Sequence, residues 1–260
     1  MADEPVTLRA AIHPPATAAV EPMSGFARNV SRLLETIEYR RCESGEDLEA
    51  IYQLRYKAYR LYGFVPRLAN RMVSDELDDA VNCYRYGVFI DNRLVSTLRL
   101  HHITPQEPFG PVMTVFDDIL GPRLDRGETF VNPSQFAADP EWTNVHRTLP
   151  YVTLRLAVMS NEYFKSTSCV CMIRDEHTAF YRRIFGSEQV GAARVYQPIS
   201  VPLMLFDSDC ATNLARTIDR FPFFKSTPLE QRMMFARPPR GELSPLTVLP
   251  TAKYLLDTAA

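Results

Sequence analysis

The chain has 260 residues, of which 46% are hydrophobic and 23% charged, and its formal net charge is −2. A chain of this size can bury a sizeable core, and no run of about 18 apolar residues predicts a membrane span. The small net charge provides no global basic field, so nucleic acid is not an expected partner.

The N-terminal residues 1–22 are rich in Ala, Pro and Thr without periodicity, which predicts a flexible arm. This arm lacks the basic start and continuous apolar stretch of a secretory signal, so we expect a cytoplasmic protein. Apolar residues then keep helical spacing over Phe26–Glu35, and residues 37–40 alternate as in a strand. Ser44, with acidic residues after it, is a candidate N-cap of the next helix.

The clearest local pattern is an antiparallel hairpin. Gly87–Ile90 and Arg93–Leu100 are strand-like runs, and the polar pair Asp91-Asn92 between them suits a tight turn. The acidic run Asp75–Asp79 lies in the loop before this hairpin.

Beyond the hairpin, strands and helices alternate. The predicted elements are a strand at Thr129–Phe136, a helix at Leu149–Lys165, a strand at Ser168–Ile173, a helix at Glu176–Phe185 ended by Gly186, one or two strands within Ala193–Phe206 with a break at Pro198, and a helix at Cys210–Arg220. The remainder is punctuated by prolines. We therefore expect a main domain over 23–207 with a C-terminal helical and irregular extension, 208–260, packed on it.

Neither the cysteines nor the histidines form a metal-binding pattern. The five cysteines are scattered without Cys-x-x-Cys spacing, which predicts reduced, buried thiols. His101 and His102 are consecutive on a predicted strand, so their side chains would point to opposite faces. We expect no metal and no bound cofactor.

Four groups of residues suggest a function. They are Arg55 with Tyr59 one turn later on the same helix and Phe64 beyond, the acidic run Asp75-Glu76-Leu77-Asp78-Asp79, Arg99 in Leu98-Arg99-Leu100, and Asn132-Pro133-Ser134-Gln135-Phe136. With the element order β-α-(loop)-β-β-β-α-β-α-β, they resemble the GNAT acyltransferases, an α/β fold with a mixed, mostly antiparallel sheet flanked by helices. The resemblance covers Ile37 to Phe206.

Within that fold, the residues are similar to the branch of acyl-homoserine lactone (autoinducer) synthases and N-acyl amino acid synthases, which take acyl groups from acyl carrier protein. The resemblance implies substrate-binding roles for Arg55, Tyr59, Phe64, Arg99, Gln135 and Phe136. It implies catalytic roles for Asp75, Asp78, Asn132, Ser134 and Tyr181.

Two positions depart from the lactone synthase pattern Glu-x-Ser-Arg-Phe. Asn132 replaces the Glu and Gln135 replaces the Arg, while Ser134 and Phe136 match. An amide can orient a substrate by hydrogen bonds but cannot act as a base. The departures favour an N-acyl amino acid synthase over a lactone synthase, and they leave a non-catalytic GNAT-like binding module as the other alternative.

The connection Ala137–Arg147 bears on the acyl donor. It contains no glycine, and it carries two carboxylates, Asp139 and Glu141. A nucleotide pyrophosphate binds to bare backbone N–H groups at a helix N-terminus, and carboxylates there would repel it. We expect acyl-phosphopantetheine on a carrier protein in preference to acyl-CoA. A possible docking surface for an acidic carrier combines the basic residues Arg147, Arg155, Lys165, Arg182 and Arg183.

The implied reaction is attack of a free amine on a thioester, which needs no covalent nucleophile. Backbone N–H groups of the strand at Asn132–Phe136 would stabilise the oxyanion, and Pro133 indicates a bulge or an edge there. Tyr181 is the candidate acid. The candidate bases are Asp75, Asp78 and Glu128, and Arg55 and Arg99 are expected to pair with carboxylates. The apolar region Leu149–Ile173 lines either an acyl tunnel or an ordinary core.

Overall fold

A computed structural model describes residues 23–197, 199, 201–239 and 247–256. The helices are α1 (Gly25–Leu34), α2 (Gly45–Leu61), α3 (Pro111–Asp125), α4 (Pro140–Val145), α5 (Leu149–Phe164), α6 (Thr178–Phe185), α7 (Cys210–Arg220), α8 (Pro228–Phe235) and α9 (Ala252–Leu256). The strands are β1 (Ile37–Arg41), β2 (Cys83–Ile90), β3 (Arg93–Ile103), β4 (Phe130–Ala138), β5 (Ser168–Ile173), β6 (Glu188–Val195), β7 (Pro202–Asp209) and β8 (Thr247–Val248). The predicted arm and the predicted break at Pro198 lie outside the described residues.

The strands form one eight-stranded sheet in the order β6-β7-β5-β4-β3-β2-β1-β8. All neighbouring strands are antiparallel except β4 and β5, which are parallel. The β2–β3 hairpin is confirmed, and its turn residues Asp91 and Asn92 have φ of 48° and 60°. A two-residue turn with both φ values positive matches the twist of the strands, which explains why Asp and Asn occupy it.

Helices cover both faces of the sheet. On one face, called here the α5 face, Leu98 and Leu100 of β3 join the large core formed with α1, α5 and the C-terminal elements. The opposite face is the α2 face, where Arg99 of β3 contacts the loop that follows α2. Because side chains alternate along a strand, Arg99 is separated from the apolar core by the sheet itself.

The sheet opens between β4 and β5. These two strands pair only at Phe130–Ser168 and Val131–Cys169, near their N-terminal ends. On its other side, β4 shifts register against β3, because Gln135 is an extra residue in a left-handed conformation with φ of 50°. The structure therefore places a bulge two residues after Pro133, on the stretch of β4 that has separated from β5.

Three local features differ from the predicted elements. Helix α3 was not predicted, because prolines at 111 and 122 resemble loop signals, yet it buries Val112, Phe116, Leu120 and Leu124 at a spacing of four. Strand β6 begins at Glu188 and not at residue 193, since this edge strand is largely exposed and carries no apolar alternation. The connection after β4 contains the short helix α4.

The C-terminal elements are held by buried polar contacts. The Tyr86 hydroxyl donates to the Met234 carbonyl at 2.8 Å, and Arg155 of α5 forms two hydrogen bonds with Glu230 of α8, at 2.5 and 2.9 Å. Both members of the Arg155–Glu230 pair are buried. The prediction that Arg155 belongs to a docking surface was therefore wrong. The neighbouring apolar residues on α5 face the core, and Arg155 is buried among them. No helix among the described residues has the length and apolarity to cross a bilayer.

Candidate active site

Arg99 and Asp75 form the centre of a charged cluster on the α2 face. The guanidinium of Arg99 donates to both carboxylate oxygens of Asp75, at 2.5 and 3.1 Å, and its Nε donates to the Ser134 hydroxyl at 3.0 Å. Arg99 is fully buried, whereas the Asp75 side chain is 18% exposed. The pair therefore offers a carboxylate to solvent while the cation stays inside.

A second pair supports the first. Arg55 of α2 donates from Nη1 to both oxygens of Asp78, at 2.9 and 3.0 Å, and Asp78 also lies 3.2 Å from Arg99. Asp75 and Asp78 cap the same single turn of 3-10 helix, residues 76–79, each accepting a backbone N–H. The prediction that Arg55 and Arg99 pair with carboxylates is confirmed, and the capping bonds fix both carboxylates to one short turn.

The surroundings keep Asp75 ionised. Burial raises the pKa of Asp75, but the hydrogen bonds and charge of Arg99 outweigh burial and hold this pKa below its ordinary value. Burial also lowers the pKa of Arg99, and the charges of Asp78 and Asp75 more than reverse that effect. A carboxylate of low pKa is suited to holding a cation and is a weak proton acceptor.

Gln135 and Tyr196 complete the environment of Asp75. Gln135 Nε2 and the Tyr196 hydroxyl donate to the same carboxylate oxygen, at 3.2 and 3.4 Å. In a regular strand, Gln135 would point to the face opposite Ser134. The bulge breaks this alternation and turns Gln135 towards Asp75. Burial, followed by the charge of Asp75, raises the pKa of Tyr196 to about 12. The sequence analysis did not identify Tyr196, because it lies 121 residues from Asp75. The one signal in the sequence that could have indicated a site role is its position directly after a strand.

The end of α2 lies against the separated part of β4. The Tyr59 hydroxyl donates to the Phe136 carbonyl at 3.2 Å, next to the bulge. Phe64 stacks on Tyr62, and the Arg174 guanidinium, just beyond β5, lies 4.6 Å from the Phe64 ring centre. The predicted aromatic residues thus lie where β4 and β5 end.

Asn132 links the strands at the point where they separate. Its Nδ2 donates to the Val170 carbonyl of β5 at 2.9 Å, and its Oδ1 accepts the Val112 backbone N–H of α3 at 3.3 Å. The residue is fully buried. Since both ends of the amide are engaged by backbone groups, these contacts favour a structural role for Asn132.

Tyr181 lies on the α5 face, away from the Asp75 cluster. It borders an apolar cavity of about 40 Å³ between α5, α6 and α7, which is also lined by Pro133, Cys169 and Cys171. Burial raises the pKa of Tyr181, so its phenol stays protonated. Pro133 of β4 and Cys171 of β5 border both this cavity and the opening between their strands.

Glu128 is not brought to either part of the site. It lies two residues before β4, where Arg123 and Arg126 donate to it at 2.8 and 2.9 Å. Within the described part of the chain there is no cluster of three or more His, Cys, Asp or Glu side chains able to hold a metal ion.

An open cleft of about 690 Å³ leads from solvent to Asp75. Its lining combines three carboxylates with aromatic and aliphatic side chains. The carboxylates are Asp75, Glu76 and Asp79, and the other side chains include Tyr196 and Phe109. Such a lining can attract an ammonium group and bury an apolar substituent attached to it.

Comparisons with known proteins identify the family and the fold. The model of a family described as "N-acyl amino acid synthase FeeM" matches residues 50–209, more than half of the chain. A solved structure of FeeM, an N-acyl amino acid synthase from uncultured soil microbes, superposes with a TM-score of 0.60 at 15% identity, covering 71% of this chain and 98% of that one. TofI, solved in a ternary complex with an inhibitor and MTA, gives a TM-score of 0.50 at 15% identity, covering 71% and 96%.

No curated protein matches the chain. At such low identities the structural likeness concerns the fold, and the predicted GNAT acyltransferase fold is confirmed.

Proposed function

The chain belongs to the FeeM family of N-acyl amino acid synthases and is an acyltransferase, and from this premise we propose that it joins a fatty acyl group, carried as a thioester, to the amine of an amino acid or a similar acceptor. The observation that carries the proposal is the ionised Asp75 carboxylate, fixed by Arg99 at the end of an open cleft.

In the proposed reaction, the acceptor enters the cleft with its ammonium group at Asp75. The low pKa of Asp75 keeps the carboxylate charged, so it binds and orients the ammonium, and the proton leaves to solvent. Arg99 and Gln135 position Asp75 and do not contact the acceptor. The free amine then attacks the thioester carbon from the α2 face.

The thioester lies in the opening between β4 and β5. A bulge leaves part of the strand ladder unpaired, so backbone N–H groups near Gln135 are the proposed donors to the oxyanion. The bond from nitrogen to carbon forms as the carbon–sulfur bond breaks. The attacking nitrogen loses its second proton to solvent, and the thiolate takes one proton from solvent. Tyr181 is the proposed hydrogen-bond donor to the leaving sulfur, because burial raises its pKa and keeps the phenol protonated, although it is too weak an acid to give the proton itself.

The acyl chain extends to the α5 face, into the apolar cavity beside Tyr181. This cavity is smaller than a fatty acyl chain and therefore widens as the chain enters. Chain burial there removes alkyl surface from water, which is worth about 0.8 kcal/mol for each methylene. The cleft at Asp75 and the cavity lie on opposite faces of the sheet, and the passage proposed between them is the place where β4 separates from β5.

The proposed donor is an acylated carrier protein. The segment after β4 has no glycine, Asp139 caps α4, and Glu141 lies in the first turn of that helix. Lys57 lies 2.9 Å from Asp139 and 3.9 Å from Glu141, so one lysine faces two carboxylates, and the Glu141 side chain is 86% exposed. This helix start would repel a nucleotide pyrophosphate, which phosphopantetheine on a carrier protein lacks.

A product screen tests the proposal. Purified protein is incubated with acyl carrier proteins and acyl-CoAs of varied chain length together with pooled amino acids and amines, and new N-acyl amides are detected by mass spectrometry. An amide formed with carrier-bound donors in preference to CoA donors is expected. Absence of any amide across all combinations would exclude the synthase.

A further inference from the structure

The apolar cavity beside Tyr181 ends at a narrow seam between α6 and α7. Three side chains, two from α7 and one from β7, donate to carbonyl groups at the C-terminal end of α6. Thr217 donates to Ile184 at 3.3 Å, Ser208 donates to Phe185 at 2.6 Å, and Asn213 donates to Gly186 at 3.4 Å. These bonds satisfy carbonyl groups that have no partner within a helix end, and they close the cavity at the same time.

Behind the seam lies an open groove of about 940 Å³. The groove is lined by exposed polar residues, including Arg182, Thr212 and Arg216. Ser187 and Asn213 line both the groove and the cavity. At these two residues, a single layer of side chains separates apolar space from solvent.

Asn213 is the weaker part of this separation. Its amide occupies the position that a side chain at Gly186 would need, and Gly186 has φ of 62°. The 3.4 Å hydrogen bond is at the long limit for such bonds, whereas the one from Ser208 is short. Ser187, the other residue of this layer, is 4% exposed and belongs to the backbone segment that directly follows α6. The Asn213 side chain can therefore be removed with little effect on the backbone around it.

On the basis of the proposed function, we propose that Asn213 sets the longest acyl chain that the enzyme accepts. The terminal carbons of a chain that fills the cavity meet the Asn213 amide. A longer chain would have to displace this amide and enter the groove, where the polar, exposed lining that includes Arg182 and Arg216 would leave the added carbons unburied. Helix α7 follows the family-matched residues 50–209, so this limit belongs to a part of the chain that the family match does not cover.

Fatty acid binding tests this proposal without turnover. A homologous series of straight-chain fatty acids, from short to long, competes with a fluorescent lipid probe for the wild type, for Asn213→Ala and for Thr212→Ala. Thr212 lines the groove but not the cavity, so it is the matched control. Thermal unfolding of the three proteins shows that the fold is retained.

We expect wild-type affinity to rise by about fourfold for each added methylene and then to fall beyond a definite length. Asn213→Ala should move that limit to longer chains, with a gain of roughly tenfold at the first length that the wild type excludes. Thr212→Ala should keep the wild-type limit. An unchanged limit in Asn213→Ala, the same shift in Thr212→Ala, or no chain-length limit in the wild type would overturn the proposal.

The same series, supplied as carrier-bound thioesters, separates this proposal from the proposed function. A shifted binding limit without amide formation would reject the synthase and support the role of Asn213. Amide formation with identical chain-length profiles in the wild type and Asn213→Ala would support the synthase and reject the role of Asn213.

Discussion

Arg99 donates two hydrogen bonds to Asp75 from inside the sheet, so a fully buried cation fixes a carboxylate that solvent can reach. The two residues lie on different elements, β3 and the turn after α2, 24 positions apart. Arg55 and Asp78 form a second, deeper pair beside them. The geometry holds one negative charge at the end of the cleft that we propose admits the acceptor.

Replacing Asp75 by Asn should weaken acceptor use while the protein still folds, since an Asn side chain can cap the turn and Asp78 remains as a counter-charge to Arg99. We expect kcat/KM for the amine to fall by roughly 10- to 100-fold, because a hydrogen bond to a charged group is worth about 1.5–3 kcal/mol. Steady-state kinetics with varied amine measure it. Glu76→Gln, which removes an exposed charge next to Asp75, is the control and should lose less than Asp75→Asn. Equal losses in both variants would show that only the local negative field matters.

Replacing Arg99 by Ala should destabilise the protein by about 3–5 kcal/mol, because Asp75 and Asp78 would lose a buried counter-charge. Chemical denaturation measures the free energy of unfolding. Arg93→Ala on the same strand is the control, since Arg93 is exposed, and it should change stability by no more than about 0.5 kcal/mol. Wild-type stability and full activity in Arg99→Ala would refute the structural role of the pair.

Asn132→Asp should also be destabilising, by at least about 2 kcal/mol, because a carboxylate cannot donate to the Val170 carbonyl and is costly to bury. Asn144→Asp makes the same chemical change on an exposed residue of α4 and should be close to neutral. If the two variants unfold at the same denaturant concentration, the Asn132 bridge between β4 and β5 contributes nothing to stability.

His101 should make stability depend on pH. Burial, with the nearby charge of Arg99, lowers its pKa to about 4, below the ordinary value of 6.5. The unfolded chain therefore binds more protons between these values, so stability is complete above pH 6.5 and falls as the pH approaches 4. The slope is up to about 1.4 kcal/mol for each pH unit.

The Leu77 carbonyl can only accept, so His101 Nε2 carries the proton in their 2.9 Å contact. His101→Gln can keep this donor without the titration. Denaturation at several pH values should give the variant a flatter profile between pH 6.5 and 4, and a profile as steep as that of the wild type would assign the effect to other groups.

Much of the fold follows from local signals. The Asp91-Asn92 turn, the position of Ser44 at the start of α2, and Gly186 at the end of α6 with φ of 62° are all decided by residues within a few positions. Even so, the Ser44 side chain makes no capping bond, so its position was predictable but its contact was not. The pairing of Arg55 and Arg99 with carboxylates was also predictable, since a buried guanidinium on an apolar element needs a partner.

What depends on distant contacts could not be predicted. Nothing near Tyr196 indicates that its hydroxyl reaches Asp75, and nothing near Arg155 indicates Glu230, 75 residues away. Asn132 matched a catalytic position by alignment of a short motif, but its contacts come from β5 and α3, which no local pattern brings to it. The prolines of α3 concealed a helix that packing against the sheet stabilises.

The most direct test of the account is the stoichiometry of thiol release. An acylated carrier protein is mixed with the enzyme, with and without an amine that the product screen identifies, and free thiol and amide are quantified in the same samples. We expect one thiol released for each amide formed and negligible thiol release without amine, and we expect Asp75→Asn to reduce thiol release and amide formation together. Thiol release that does not depend on the amine would identify a hydrolase and contradict the account.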